Sequence, residues 1–291
     1  MAENRRLLTH NDYTVGWICA LPKSELVVSG AMLDEEHPLL LAADPEDTNV
    51  YLLGRIGAHN VVIACLPAET TGTVSAAIVA KDMLRSFPKI RFGLMVGVAG
   101  GVPGLGLDGG TYDDDERLGN GKDIRLGDVV VSLHSKDSDA VVQYDFGKST
   151  HGGQFVRTGT LRKPPNLLLQ AVSMLQGQHV RKGNNNLSYR ISKMLENNPG
   201  LAEEFKYQGS ASDRLFAANI IHAEGQKSCE PCCGDGGANL VPRKNRKDTF
   251  PVIHYGTIGS ADQVMKDPSL RDIWARKERI ICFEMEAAGI S

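Results

Sequence analysis

Short runs that are apolar at nearly every position, each followed by a segment of helical spacing, constrain this chain more than any other feature. YTVGWICAL (13–21), NVVIACL (60–66), RFGLMVGVAGG (91–101), DVVVSL (128–133), PVIHYGTIG (251–259) and IICFEME (280–286) are such runs. A half-solvated strand alternates apolar and polar residues, whereas one apolar throughout is covered on both faces. KSELVVSGAML follows the first run and sets Leu26, Val27, Ala31 and Leu33 on one helix face. TVSAAIVAKDMLRSF (73–87) is an amphipathic helix, opened by Gly72-Thr73 and closed before Pro88. Further helices are expected at about 165–176 and 266–277. The pattern predicts an α/β fold in which helices flank a mostly parallel sheet.

At 291 residues and 42% hydrophobic content, the chain is sized for one large domain carrying insertions. That domain is expected over 13–291, with 1–12 as a polar N-terminal tail. Two stretches read as loop insertions: the glycine-rich, acidic 105–123, and 177–250, too polar for a core of its own. A net charge of −3 gives no electrostatic footing for nucleic acid or a membrane surface. No apolar run approaches the ~18 residues of a membrane span. Six cysteines, three of them (Cys19, Cys65, Cys282) within apolar runs, fit a reducing, cytoplasmic setting better than a disulfide framework.

Chemistry on a parallel sheet collects at the C-terminal ends of its strands. The first run leads into Glu25, which reads either as a functional carboxylate or as an acid stabilised at a helix start, worth ~0.3–1 kcal/mol. The third leads into Gly97, Ala99, Gly100 and Gly101, where a ligand can approach the backbone or the chain can simply turn. The last leads into Glu284-Met285-Glu286, and an acid held there can accept two hydroxyl hydrogen bonds, as a sugar diol supplies. Cys229-x-x-Cys232-Cys233 is half of a zinc pattern without its second pair, so incidental cysteines are favoured. Gly97-x-x-Gly100 lacks the dinucleotide spacing, and no P-loop lysine is present. Neither a metal nor an organic cofactor is expected.

These blocks carry a resemblance. YTVGWICALP, AMLDEEH, HNVVIACLP, SFPKIRFGLMVGVAGGVP, DIRLGDVVVS, VVQYDFGK, RTGTLRKPP, IHYGTIGSADQVMKD and CFEMEAAG occur in this order over about residues 13–289. The chain resembles the purine nucleoside phosphorylase and methylthioadenosine nucleosidase superfamily. It is closest in pattern to the fungal branch, often found at the N-terminus of NLR-like (NACHT or NB-ARC) proteins. The resemblance implies a three-layer fold, self-association and a purine nucleoside substrate. It also implies that Glu286 binds the ribose hydroxyls, with Met285 under the sugar and Glu284 beside them. Backbone groups of Val264 and Met265 would lie against the purine, with Asp262 bracing their turn. Glu25 would position the attacking water.

N-glycosidic cleavage passes through an oxocarbenium-like sugar, which a carboxylate below the ring stabilises. In the family a further strand and helix follow the FEMEAAG block, and an Asp after that strand protonates the leaving purine. The sequence stops at Ile290-Ser291, so the expectation is a chain lacking its last strand and helix, weakly active or inactive. Phosphorolytic members grip phosphate with an Arg and a Ser near the third strand; Met95 and Val98 stand there instead. An apolar pair cannot neutralise a dianion. Hydrolysis by water is therefore favoured, with phosphorolysis and a non-catalytic nucleoside sensor as alternatives.

Overall fold

The computed structural model describes residues 7–41, 44–103, 123–182, 185–226, 228–229, 239–243, 245–246 and 249–291. The acidic segment 105–122 and the Cys232-Cys233 pair lie outside these residues.

The first half of the chain builds a five-stranded sheet from β1 (Val15–Cys19), β2 (Glu35–Glu36), β3 (Tyr51–Ile56), β4 (His59–Cys65) and β5 (Phe92–Met95). Their order is β2-β3-β4-β1-β5. β1 runs parallel to β4 and β5, while β3 and β4 form an antiparallel hairpin. All five residues of β1 are buried, and its alternation shows why. Val15, Trp17 and Cys19 join Val61 and Ile63 on one face. Ile18 joins Val62, Ala64, Ala76, Val79 and Met83 on the other. A strand covered on both sides has no polar positions to display.

The second face is covered by α2 (Thr73–Ser86). On the first face, Leu26 and Leu33 pack from the segment around α1 (Val27–Ala31), which follows one π-type turn at Pro22–Leu26.

The second sheet is assembled from β6 (Gly100–Gly101), β7 (Val129–Ser132), β8 (Val141–Gln143), β11 (Ile253–Ser260) and β12 (Ile280–Glu284). β11 is its axis. Residues 253–256 pair with β7, residues 258–260 pair with β8, and β12 lies alongside on the other edge, all parallel. β9 (Gly147–Ser149) and β10 (Phe155–Arg157) form a separate antiparallel ribbon. The expected mixed, mostly parallel β structure with flanking helices is present, distributed over these sheets.

The run expected as one strand at 91–101 is two. β5 ends at Met95, and the chain re-enters pairing as β6, opposite Cys282 and Phe283 in the second sheet. Val96–Ala99 is thus the bridge between sheets.

Helix also replaces part of the segment expected as loop from 177. α3 (Asn166–Lys182) continues through its start, and α4 (Asn185–Asn197) and the short α5 (Ala202–Phe205) follow. α6 (Pro268–Glu278) carries a complete N-terminal signal: Asp267 accepts from the backbone N–H groups of Ser269 and Leu270, with Pro268 first in the helix. Its Trp274 packs against the cluster of Val142, Tyr144, Ala261, Ile280 and Phe283.

The turn Ala287–Ile290 closes against the first turn of α2. A Cβ at Gly289 would stand 1.9 Å from the Thr73 carbonyl oxygen, a backbone atom that cannot step aside. Gly289→Ala is expected to lower the melting temperature by several degrees, because overpacking of this kind costs ~1–3 kcal/mol or more. Thermal unfolding followed by circular dichroism checks it.

Candidate active site

Glu25 sits in the π-type turn after β1, and that turn aims its carboxylate back over the strand end. Oε2 accepts from the backbone N–H groups of Ala20 (2.6 Å) and Leu21 (3.1 Å), and Oε1 from that of Val98 (2.8 Å). The side chain therefore ties the end of β1 to the bridge between the sheets. Gly97 is glycine for this reason: a Cβ there would lie 2.7 Å from Glu25 Oε1. A carboxylate offers about four acceptor directions. Three are used, and the fourth is left for a water or a hydroxyl.

Glu286 approaches from the other sheet, just past β12, and is 7% exposed. Its Oε1 accepts from the backbone N–H of Gly72 at 3.1 Å, at the start of α2. Burial pushes its carboxyl above the ordinary glutamate range. The backbone donors of Gly72 and Met285 oppose that, and the charges of Glu25 and Asp262 add to it. Three acids from three strand ends thus feel one another across one small region.

Glu284 has a different task. Its Oε2 accepts from the backbone N–H groups of Glu286 and Ala287, both at 2.8 Å, which sets the direction of the chain that carries Glu286. Burial raises its pKa, opposed by the Ser260 hydroxyl and these two backbone donors.

Asp262, after β11, completes the N-terminus of α2. Its Oδ1 accepts from the Thr73 backbone N–H (2.6 Å) and both oxygens accept from the Thr73 hydroxyl (3.0 Å). The Gly72-Thr73 start expected from sequence is correct in place, but the capping oxygen comes from 189 residues away. The helix presents two N–H groups, of Gly72 and Thr73, and each binds an acid from the second sheet, as unpaired helix-start donors favour.

Of the remaining expected positions, Met285 is half-buried between Glu284 and Glu286. Gly97 and Ala99 lie exposed in the bridge, while Gly100 is drawn into strand pairing opposite Phe283. Val264 is exposed two residues beyond Asp262, and Met265 packs against the second-sheet core. Sequence reasoning read Gly72 only as a helix start and Val98 only as an apolar side chain, because a main-chain donor leaves no mark in residue type. Among the described residues, no group of three or more His, Cys, Asp or Glu side chains is placed to hold a metal ion, and no helix is long and apolar enough to cross a membrane.

No family model matches the chain. Over 294 aligned positions, 99% of this chain, it is 40% identical to a nucleotide-binding leucine-rich repeat (NLR)-like protein of Hyaloscypha variabilis. The chain resembles one segment of an NLR-like protein. It spans about a quarter (26%) of that relative's length, and the setting is the one its sequence blocks implied.

Among solved structures, the 5′-methylthioadenosine/S-adenosylhomocysteine nucleosidase of Neisseria meningitidis matches at TM-score 0.49 and 16% identity, over 95% of this chain and 77% of that one. A putative enzyme of the same description from Borrelia burgdorferi matches at 0.49 and 15%, over 95% and 78%. The futalosine hydrolase of Helicobacter pylori matches at 0.47 and 15%, over 97% and 78%.

Proposed function

We propose that this chain binds a purine nucleoside where β1, β5, β11 and β12 end, and hydrolyses its N-glycosidic bond. The observation that carries this is that Glu25 and Glu286, brought from opposite sheets, lie close enough for their charges to interact, with room for Glu25 made by Gly97 in the bridge between the strand ends. Glu286 accepts the ribose hydroxyls, and its charge lies where positive charge grows on the sugar. The free acceptor direction on Glu25 takes a water proton. The water oxygen bonds to the anomeric carbon, the carbon–nitrogen bond breaks, and its electron pair leaves with the purine, which takes up a proton. Purine as the base, self-association and a cytoplasmic setting are parts of the same proposal.

Water is favoured over phosphate by what Met95 and Val98 do. Met95 packs against the core of the first sheet, and the Val98 N–H is committed to Glu25. Neither supplies the charge a dianion needs.

The test is release of free base and of ribose from adenosine, inosine and guanosine, each with and without phosphate, for the wild type and for Glu25→Gln; phosphorolysis would release the base with ribose 1-phosphate instead of ribose. The expected result is release that needs no phosphate and falls about 10²–10⁴-fold in the variant, the usual contribution of general-base assistance. Turnover only with phosphate would replace hydrolysis by phosphorolysis. Saturable nucleoside binding without turnover would make the site a sensor.

A further inference from the structure

A second cleft, of about 380 Å³, opens at the other end of the second sheet. Its walls come from the segment between β7 and β8, from the ribbon strand β10 and the residues after it, and from the end of α6. Lys277, Glu278 and Arg279 in this wall immediately precede β12, whereas Glu286 follows it. The five residues of β12 separate the two sites by about 16 Å at ~3.3 Å per residue.

The charges here do not cancel. Three acids line the cleft, and two arginines occupy them. Arg157 meets Glu278 (3.2 Å) and Asp139 (3.7 Å), and Arg279 meets Asp137 (3.1 Å). The three acids outnumber the two arginines by one, so Lys136, Lys163 and Lys277 together leave the cleft with a net charge of +2 in a chain whose net charge is −3. Lys277 is held over the Trp274 ring at 4.7 Å. Lys136 and Lys163 are exposed and form no ion pair among the described residues. Ser135 and Ser138 add hydroxyls on the same wall, hydrogen-bonded to each other at 2.8 Å. The His134 Nδ1 atom is buried in the wall without a hydrogen-bond partner among the described residues.

We propose that this cleft binds the phosphate group of a small phosphorylated molecule. Lysine ammonium groups bind phosphate as point charges, and hydroxyls share its oxygens. A cleft of this volume falls within the ~300–1,000 Å³ of small-molecule sites, larger than a lone phosphate requires.

Calorimetric titration of the whole chain at constant ionic strength tests this, with inorganic phosphate, glycerol 3-phosphate and, as the unphosphorylated control, glycerol. Saturable binding of both phosphate probes and none of glycerol is expected. The Lys136→Ala/Lys163→Ala double variant is expected to weaken it at least ~10-fold. Because both lysines are exposed, the melting temperature and ribose release should stay at wild-type values. Absence of saturable binding overturns the proposal, as does an unchanged affinity in the double variant. Competitive displacement of phosphate by adenosine overturns it as well, since the anion would then occupy the nucleoside site; phosphate binding that adenosine leaves unchanged and the lysine variant loses supports the second cleft.

Discussion

Glu286→Gln is expected to reduce ribose release about 10²–10³-fold while leaving the protein at least as stable as the wild type at neutral pH. The loss follows from charge. The amide keeps the shape that meets the Gly72 N–H, but it cannot stabilise an oxocarbenium-like sugar as a carboxylate does, and removal of one such preorganised group typically costs that factor. The stability follows from linkage. Burial raises the folded-state pKa of Glu286, so the unfolded chain gives up this proton first as pH rises. The folded state therefore loses stability as pH rises from the ordinary glutamate value to the raised one, and that deficit persists above it. A glutamine has no such deficit.

The same shift sets the pH profile, since nucleoside affinity should fall as pH is lowered through a midpoint above the ordinary glutamate range. Ribose release, calorimetric binding and thermal melting of one variant separate these claims. A variant that lost stability and activity together would show Glu286 to be a structural acid only.

Asp128→Ala is expected to destabilise the protein more than any other single change considered. The Asp128 side chain is wholly buried at the start of β7. It accepts from Arg246 (2.5 and 2.6 Å), from His254 Nε2 (2.8 Å), and from the backbone N–H groups of Arg125 (2.8 Å) and Val252 (3.0 Å). Burial opposes its ionisation, and these hydrogen bonds outweigh burial, holding the carboxyl well below the usual range. Breaking a buried pair by removing one partner costs ~3–5 kcal/mol. For a chain of this size that is roughly 6–20 °C in melting temperature. The sign with pH is opposite to that of Glu286. A depressed folded-state pKa contributes stability above the ordinary aspartate value, and that stability drains away as pH falls toward the folded value. A wild-type protein that melts near neutral pH no higher than the variant would refute the role.

The strands that carry the site were legible because double burial writes runs of consecutive apolar residues, as in β1, residues 61–65 of β4 and residues 280–283 of β12. β3 was not, although it pairs over six residues with β4. Its sequence YLLGRI places a glycine and an arginine in a short run, and the arginine pairs with Glu35, its cross-strand neighbour in β2, at 3.1 Å. The glycine run at 97–101 was legible as unusual backbone but not as a crossing between sheets, because residue type does not say which strand a segment will pair with.

For the site, Glu25, Glu284 and Glu286 stood out as acids after apolar runs. How Glu284 differs from Glu286 could not be read from sequence. Glu284 binds amides of its own turn, whereas Glu286 reaches across to the amide at the start of α2, a division set by the turn at 284–287. Asp262 as the cap of α2 was likewise hidden, since a capping oxygen is normally sought next to the helix it serves.

That remote cap has a consequence for synthesis. The start of α2 leaves the ribosome 189 residues before the oxygen that completes it, and 214 residues separate Gly72 from Glu286. At ~5–20 residues per second, the helix waits on the order of 10–40 s with its first amides unanswered. The nascent chain can form β1, β4 and α2 in that interval, yet the proposed nucleoside site is incomplete until β11 and β12 arrive. The acid-lined start of α2 is therefore assembled late and all at once, as a checkpoint that a half-made chain cannot pass.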